Sequence, residues 1–134
     1  MVNDVRRAFF HAKAKLQVYV QFADEDSEGE QVRLCGRQNY SMYGTREAPQ
    51  SWQSHLTNHL KENGFTLGRA NPCVCTTTQL GMCRWQSMSN DLLVAGEPID
   101  LDWFRDTLAE TFECKCVRLG RRADEVKEAK YLNR

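Results

Sequence analysis

Cysteine thiols are the first groups in this sequence whose chemistry can be considered, because thiolates bind soft metal ions. Four of the six cysteines form two Cys-x-Cys pairs, Cys73 with Cys75 and Cys114 with Cys116. Zinc sites usually space paired ligands two to four residues apart, and no Cys-x-x-Cys accompanies these pairs. The spacing therefore favours buried or partly exposed thiols over a metal site or a disulfide framework.

Asn90 and Asp91 form a second polar pair, directly before the apolar run Leu92–Ala95, which Gly96 closes. A short apolar run bounded by turn residues is typical of a buried strand. The segment before the pair, residues 85–89, is mostly polar. The pair therefore marks a turn between two unlike segments, at the start of a buried strand.

Composition limits the class of protein. The chain has 134 residues, which suits one domain with its own core. Its 18 basic and 18 acidic residues balance, so no general attraction to polyanions is indicated. No apolar run approaches the roughly 20 residues of a membrane helix, and the first residues lack the apolar segment of a signal peptide. We therefore expect an intracellular protein without a membrane span.

Two segments have helical patterns. Arg46–Asn63 carries Pro49 where a first turn tolerates proline, and Gly64 supplies a stop. Pro98–Phe112 is the second helical segment. The apolar residues expected to pack are Trp52, Leu56 and Leu60 in the first segment and Ile99, Leu101, Trp103, Phe104, Leu108 and Phe112 in the second.

Strand patterns surround these helices. Leu16–Phe22 alternates between apolar and polar residues, which predicts a strand with one apolar face. Shorter strand candidates follow at Val32–Leu34, Leu92–Ala95 and Cys114–Leu119, whereas the pattern from Cys75 to Asp91 is unclear. This order predicts an α+β fold, in which an antiparallel sheet carries two helices on one face in a ferredoxin-like arrangement. We expect a single domain over 1–134, with 120–134 as a charged tail or an edge element.

Four motifs follow one another over nearly the whole chain. They are Asp4-Val5 with Ala8-Phe9; Tyr43-Gly44 with Ala48-Pro49 and Trp52; Gly64-Phe65 with Asn71-Pro72-Cys73; and Asn90-Asp91 before a run that ends in Gly96. In this order they resemble the palm region of copia-type (LTR) retrotransposon reverse transcriptases. The resemblance implies a polymerase-palm-like fold, truncated in this chain to an incomplete domain.

The resemblance also implies a site for two magnesium ions. In such polymerases one metal activates the primer hydroxyl and the other supports the departing pyrophosphate. By position, Asp4 and Asp91 would be the catalytic carboxylates that bind metal, and Val5 would be a backbone ligand. Phe9 would lie beneath the nucleotide sugar as an aromatic gate, and Arg46 would lie along template and nucleotide.

Departures from the family pattern predict that this site is degenerate. Asn90 stands where the first Asp of the catalytic turn belongs, so one formal charge is missing. The fingers, thumb and ribonuclease H regions of the family have no counterpart in the 134 residues. We therefore expect no cofactor, and magnesium only if some polymerase activity remains.

The polar segment between the matching flanks suggests a genetic hypothesis. If the codons from Cys75 to Ser89 are read one base out of step, permissible third bases give an apolar strand, and removal of one A at the Asn90 codon restores Asp. A small deletion near Cys75, compensated by an insertion at Asn90, would explain the segment. The polar residues Gln86, Ser87 and Ser89 would then replace apolar residues of a central strand.

The sequence as a whole predicts a catalytically inactive palm fragment that persists as a structural or interaction protein, as a small subunit of a larger assembly. A protein partner would cover its exposed edge or apolar face. The alternative is a residual nucleic-acid-binding module that binds weakly, with weak or no RNA-directed DNA polymerase activity.

Overall fold

The computed structural model describes residues 1–23, 35–69, 74–77, 83–88, 90–120 and 125–129. Within these ranges the chain divides into two compact units. The first, called the sheet unit, comprises Met1–Ala8 and Leu56–Arg134, and the second, called the hairpin unit, comprises Phe9–His55. The single domain over 1–134 stays a prediction.

The described residues form eight strands, two α-helices and one 3-10 turn. The strands are β1 (Val2–Val5), β2 (Tyr19–Gln21), β3 (Cys35–Arg37), β4 (Thr66–Leu67), β5 (Val74–Thr77), β6 (Cys83–Met88), β7 (Asp91–Ala95) and β8 (Cys114–Val117). The helices are α1 (Ala48–Glu62) and α2 (Pro98–Ala109), and the 3-10 turn is Ala8–His11.

Six of these strands form the antiparallel sheet of the sheet unit, in the order β4-β5-β6-β7-β1-β8. One face of this sheet is buried: Leu92 and Val94 of β7 are buried, whereas Leu93 and Ala95 between them are exposed. Such alternation follows from the two-residue period of a strand. The sheet therefore has a core face and an open face.

Helix α2 supplies part of the core of the sheet unit. Pro98 is its first residue, where the missing N–H costs nothing. Leu101, Phe104 and Leu108 are buried at helical spacing. The prediction that Ile99 also packs is wrong, because its side chain is 70% exposed one residue into the helix.

Helix α1 ends in a motif that the Asn63-Gly64 pair had predicted. Gly64 has a φ of 82°, its N–H bonds to the carbonyl of Lys61, and the N–H of Phe65 bonds to the carbonyl of Leu60. This is the Schellman pattern, which needs a left-handed residue just beyond the helix. Buried Leu60 and Phe65 flank the stop, so the chain turns into β4 with its apolar groups inside.

The hairpin unit contains a two-stranded sheet of β2 and β3. The seven-residue strand predicted for Leu16–Phe22 is wrong in length, because only Tyr19–Gln21 is extended and paired. The residues of its predicted apolar face are exposed, Leu16 by 65% and Val20 by 43%. Two strands alone have no second layer of structure to pack against, so side chains on both faces of the ribbon stay accessible to solvent.

The segment 75–91, whose pattern was unclear, contains strands β5 and β6. Strand β6 pairs with β5 on one side and with β7 on the other, with Met88 opposite Asp91 and Ser87 opposite Leu92. The side chains of 83–88, and Ser89 entirely, lie outside the described residues. The hypothesis that polar groups replace apolar ones in this strand therefore stays a prediction.

The remaining predicted segments have mixed outcomes. Val32–Leu34 and the motif residues Asn71-Pro72-Cys73 lie outside the described residues, as do 121–124 and 130–134. Val126 forms a parallel bridge with Leu119, and its N–H bonds to the carbonyl of Arg118 at 3.2 Å.

The α+β class, with antiparallel sheets and two helices, is confirmed. No helix within the described ranges is long and apolar enough to cross a membrane.

Candidate functional site

Strands β1, β7 and β8 place three charged residues in one row. Asp4 of β1 lies directly opposite Asp91 of β7 and directly opposite Lys115 of β8. Residues directly opposite in a ladder project from the same face, with Cβ atoms about 4.5 to 5.5 Å apart. Their neighbour Leu93 is exposed on that face, so the row lies on the open face of the sheet.

Asn90 lies next to this row, in the turn before β7. Its side-chain Nδ2 donates a hydrogen bond to Oδ1 of Asp4 at 2.7 Å. Its carbonyl accepts a hydrogen bond from the N–H of Val5 at 3.2 Å. Both contacts join β1 to the β6–β7 turn, and all groups of the pair are at least partly buried. Asn90 therefore holds Asp4 by side chain and backbone together.

The contact with Asn90 depends on the amide. An amide nitrogen is a donor, whereas an ionised carboxylate is only an acceptor and would repel Asp4 at the same distance. The hydrogen bond to a charged acceptor is of the stronger kind, contributing about 1.5 to 3 kcal/mol. Asn90 thus donates a hydrogen bond to Asp4 without contributing a charge of its own.

The charge balance of the row differs from that of a two-metal site. Asp4 and Asp91 bring two negative charges, and Lys115 brings one positive charge beside Asp4. Magnesium is bound through carboxylate and water oxygens, which a neighbouring ammonium group disfavours. No cluster of three or more His, Cys, Asp or Glu side chains that could hold a metal occurs among the described residues.

The structure places the other predicted site residues as follows. Val5 has its side chain in the core, 1% exposed, and its N–H is taken by Asn90. Phe9 is buried in the hairpin unit against Tyr43, with ring centroids 4.4 Å apart, and the next residue, Phe10, is 44% exposed. Arg46 is exposed in the turn before α1. Asp4, Val5 and Asp91 are thus brought together in one unit, whereas Phe9 and Arg46 belong to the other; their roles stay predictions.

Lys115 is the residue of this site that the sequence did not reveal. The alternation of Cys114–Leu119 indicated a strand, but neither its partner strand nor its register can be read from one sequence. A lysine opposite an aspartate is a favourable cross-strand pair, which is one physical signal for that register. The signal becomes useful only once β8 is known to pair with β1.

The hairpin unit contains a basic cleft, which we define as the groove of about 400 Å³ lined by 13–17 and 37–40. Its cationic residues are Lys13, Lys15 and Arg37, and Tyr40 is a half-exposed aromatic residue at its wall. Lys13 and Tyr40 face each other across an isolated antiparallel bridge. Three cations and one aromatic ring in one groove are suited to a polyanion with stacking bases.

No family model matches the chain, and no solved structure matches it significantly. The geometry of the row and of the basic cleft is therefore the basis for any functional conclusion.

Proposed function

We propose that this chain is a catalytically inactive palm fragment, resembling the copia-type reverse transcriptases, that serves as a structural or interaction protein in a larger assembly. The observation that carries the proposal is the hydrogen bond from Asn90 Nδ2 to Asp4 Oδ1. In the reverse transcriptases that the chain resembles, the position of Asn90 is occupied by an Asp whose carboxylate binds metal. In this chain the amide of Asn90 donates a hydrogen bond to the carboxylate of Asp4 instead.

The row explains why such a site would not catalyse phosphoryl transfer. Two metal ions need several anionic oxygens that converge from separate strands. Asp4 already accepts a hydrogen bond from Asn90 and lies beside Lys115, so its charge is partly compensated within the protein. Asp91 would then be the one carboxylate of the row left to bind a second ion. The row therefore supports a structural role for these residues, in which they join β1 to β7 and β8.

A partner protein is supported by apolar side chains at the surface. Leu93 is 37% exposed on the open face of the sheet unit. The hairpin unit exposes Tyr19, Val20 and Phe22 by 43% or more. Exposed apolar groups close together along one short segment, as in 19–22, are typical of a surface that another protein covers.

Primer extension tests the loss of catalysis. The purified chain, given a template-primer, deoxynucleotides and Mg²⁺ or Mn²⁺, should give no product above a no-protein control. Asp4→Asn serves as the matched variant, because it keeps the shape of the side chain and removes the charge. Metal-dependent extension that Asp4→Asn abolishes would overturn the proposal.

Purification from the native source tests the structural role. The chain should elute at a mass well above its own 15.5 kDa, in a fixed ratio to its partners across several columns. Elution as a monomer, with no protein in constant ratio, would contradict the assembly part of the proposal. The loss of catalysis is tested separately, by primer extension.

A second candidate function, residual nucleic-acid binding, is favoured by the basic cleft. Single-stranded oligonucleotides should then bind with an affinity that falls steeply with salt. Replacing Lys13, Lys15 and Arg37 by Gln should lower the slope of log K against log salt by about 2, or roughly 0.7 per contact removed on a single strand. Lys61→Gln on α1 is the control and should leave the slope unchanged. Fluorescence anisotropy measures both.

The coding DNA tests the frameshift hypothesis, which would explain why residues 75–89 do not match the family that the flanking motifs resemble. Read one base out of step from Cys75 to Ser89, it should encode alternating apolar residues and an Asp at position 90. A shifted frame that contains a stop codon or encodes a polar segment would remove this support.

A further inference from the structure

The thiols of Cys114 and Cys116 lie together on strand β8. Their sulfur atoms are 3.7 Å apart, close enough to share a proton. Residues two apart on a strand point to the same face, which explains the contact. Asn3 and Val5 are their direct partners on β1, and both of those side chains are buried, so the two thiols lie on the core face of the sheet.

The position of β8 makes the pair accessible. Strand β8 is the last strand of the sheet and has β1 as its one neighbour among the described strands. Both thiols are only partly buried. Helix α2 contacts β8, and Arg118 fixes this contact by bonding Asp102 at 3.2 Å and the carbonyl of Pro98 at 2.6 Å. The two thiols therefore lie on an edge strand that Arg118 holds against α2, and one edge of this strand has no partner among the described strands.

The sulfur separation fits a tetrahedral metal ion better than a disulfide. Two sulfur atoms each about 2.3 Å from a tetrahedral zinc ion are about 3.8 Å apart. A disulfide needs its sulfur atoms about 2.05 Å apart, well below the 3.7 Å between these two thiols.

Cys75, one member of the second Cys-x-Cys pair, lies in another part of the sheet. It is on β5, four strands away from β8 in the order β5-β6-β7-β1-β8. At about 4.8 Å per strand this is about 19 Å. Cys75 is therefore too far from β8 to share a metal ion with Cys114 and Cys116.

We propose that Cys114 and Cys116 form a two-thiolate site for a soft, tetrahedral divalent cation of the zinc class, with water in the other two positions. The ion takes the place of the protons: Zn²⁺ and two thiols give a zinc dithiolate and two protons, with no change of oxidation state. A divalent cation is attracted to both sulfur atoms, and it therefore favours the thiolate form of each.

Cobalt titration tests this site in the intact chain. Co²⁺ added under reducing, anaerobic conditions should produce a thiolate charge-transfer band, which one equivalent of Zn²⁺ removes. Cys114→Ser and Cys116→Ser should each abolish the band. Cys35→Ser is the matched control, because Cys35 is exposed on β3 of the hairpin unit, and it should keep the band at full intensity. A band that survives in both β8 variants would overturn the proposal.

Alkylation of the wild-type chain keeps the test valid if a variant fails to fold. Zn²⁺ should slow the labelling of Cys114 and Cys116 by N-ethylmaleimide at least tenfold, as mapped by peptide mass spectrometry. Cys35 should be labelled at the same rate with and without Zn²⁺. Unchanged labelling of the two β8 thiols, at zinc concentrations that saturate the protein, contradicts the site.

Discussion

The contact between Asn90 and Asp4 depends on a single pair of atoms. Nδ2 of Asn90 donates to Oδ1 of Asp4 at 2.7 Å. This hydrogen bond joins β1 to the turn before β7, between residues 86 positions apart in the chain. An amide at position 90 therefore stabilises this junction, because a carboxylate there would repel Asp4.

We predict that Asn90→Asp destabilises the protein in the absence of divalent ions by about 1 to 3 kcal/mol, because a charge-assisted bond is lost and two carboxylates meet. Asn90→Ala loses the bond without adding a charge. Urea unfolding at low and high NaCl separates the two effects, since salt should reduce the penalty of Asn90→Asp more than that of Asn90→Ala. Equal stability of Asn90→Asp and wild type would show that the Asp4 contact contributes nothing.

His59 gives a second prediction at this scale. Burial lowers the pKa of His59, against the opposing charges of Glu62 and Glu110, while its ring packs edge-on against Phe112 at 5.0 Å. Nε2 of His59 is buried and has no hydrogen-bond partner in the described structure. The folded state therefore favours neutral His59 and resists protonation.

The pH dependence follows from that preference. The stability contributed by neutral His59 is present in full above the unfolded pKa of 6.5 and is lost as the pH falls through the lower folded pKa. Wild type should therefore lose more stability than His59→Gln between pH 7.5 and pH 5. His55→Gln, on the same helix, keeps His59 and serves as the matched control for replacing a histidine by glutamine. Thermal unfolding across this range measures the difference.

At the scale of elements, α2 offers a direct comparison of a buried and an exposed apolar residue. Phe104 is 0% exposed and contacts Phe65 edge-on at 5.7 Å, whereas Ile99 is 70% exposed. We predict a loss of about 3 to 5 kcal/mol for Phe104→Ala and less than about 0.5 kcal/mol for Ile99→Ala. Urea unfolding monitored by circular dichroism measures both, and a large loss for Ile99→Ala would indicate that a partner or another copy covers it.

The elements that could be predicted from the sequence are those with an apolar side to bury. Helix α1 was evident because Trp52, Leu56 and Leu60 repeat with the helical period, and strand β7 because Leu92–Ala95 is a short apolar run bounded by turn residues. The pair β5–β6 could not be predicted, because it is held by backbone ladders that leave no periodic pattern in polar residues. Ile99 fits an apolar pattern by type, but its position in the first turn of α2 directs it away from the core.

The candidate site could be predicted in part for the same reasons. The motif order brought Asp4 and Asp91 to attention, and the ladder places them opposite each other. Lys115 could not be found, because a shift of one residue in the β8 register would send it to the other face. The sulfur contact of Cys114 and Cys116 was hidden by a spacing that ordinary zinc sites do not use, although strand geometry alone brings the two thiols together.

For the molecule as a whole, the two units should differ in local stability. In the sheet unit β1 lies between two strands, with buried side chains on the core face. In the hairpin unit β2 has one partner strand, and all three of its residues are exposed. We predict amide exchange in β1 and β7 at least a hundred times slower than in β2 and β3, because exposed ladders open locally. Exchange mass spectrometry tests this within one sample, and equal protection would mean that something covers the hairpin.

The place of β1 between β7 and β8 also constrains how the chain is made. Val2 pairs with Leu93 and with Val117, so β1 must wait for partner strands that are synthesised well after it. At about 5 to 20 residues per second, some 110 residues take roughly 6 to 22 seconds on the ribosome. Contacts so distant in sequence also slow refolding, because a long loop must close before any of them forms. A nascent chain that ends before Cys114 therefore exposes β1 as an edge strand, and this interval is when the protein is most open to chaperones and to aggregation.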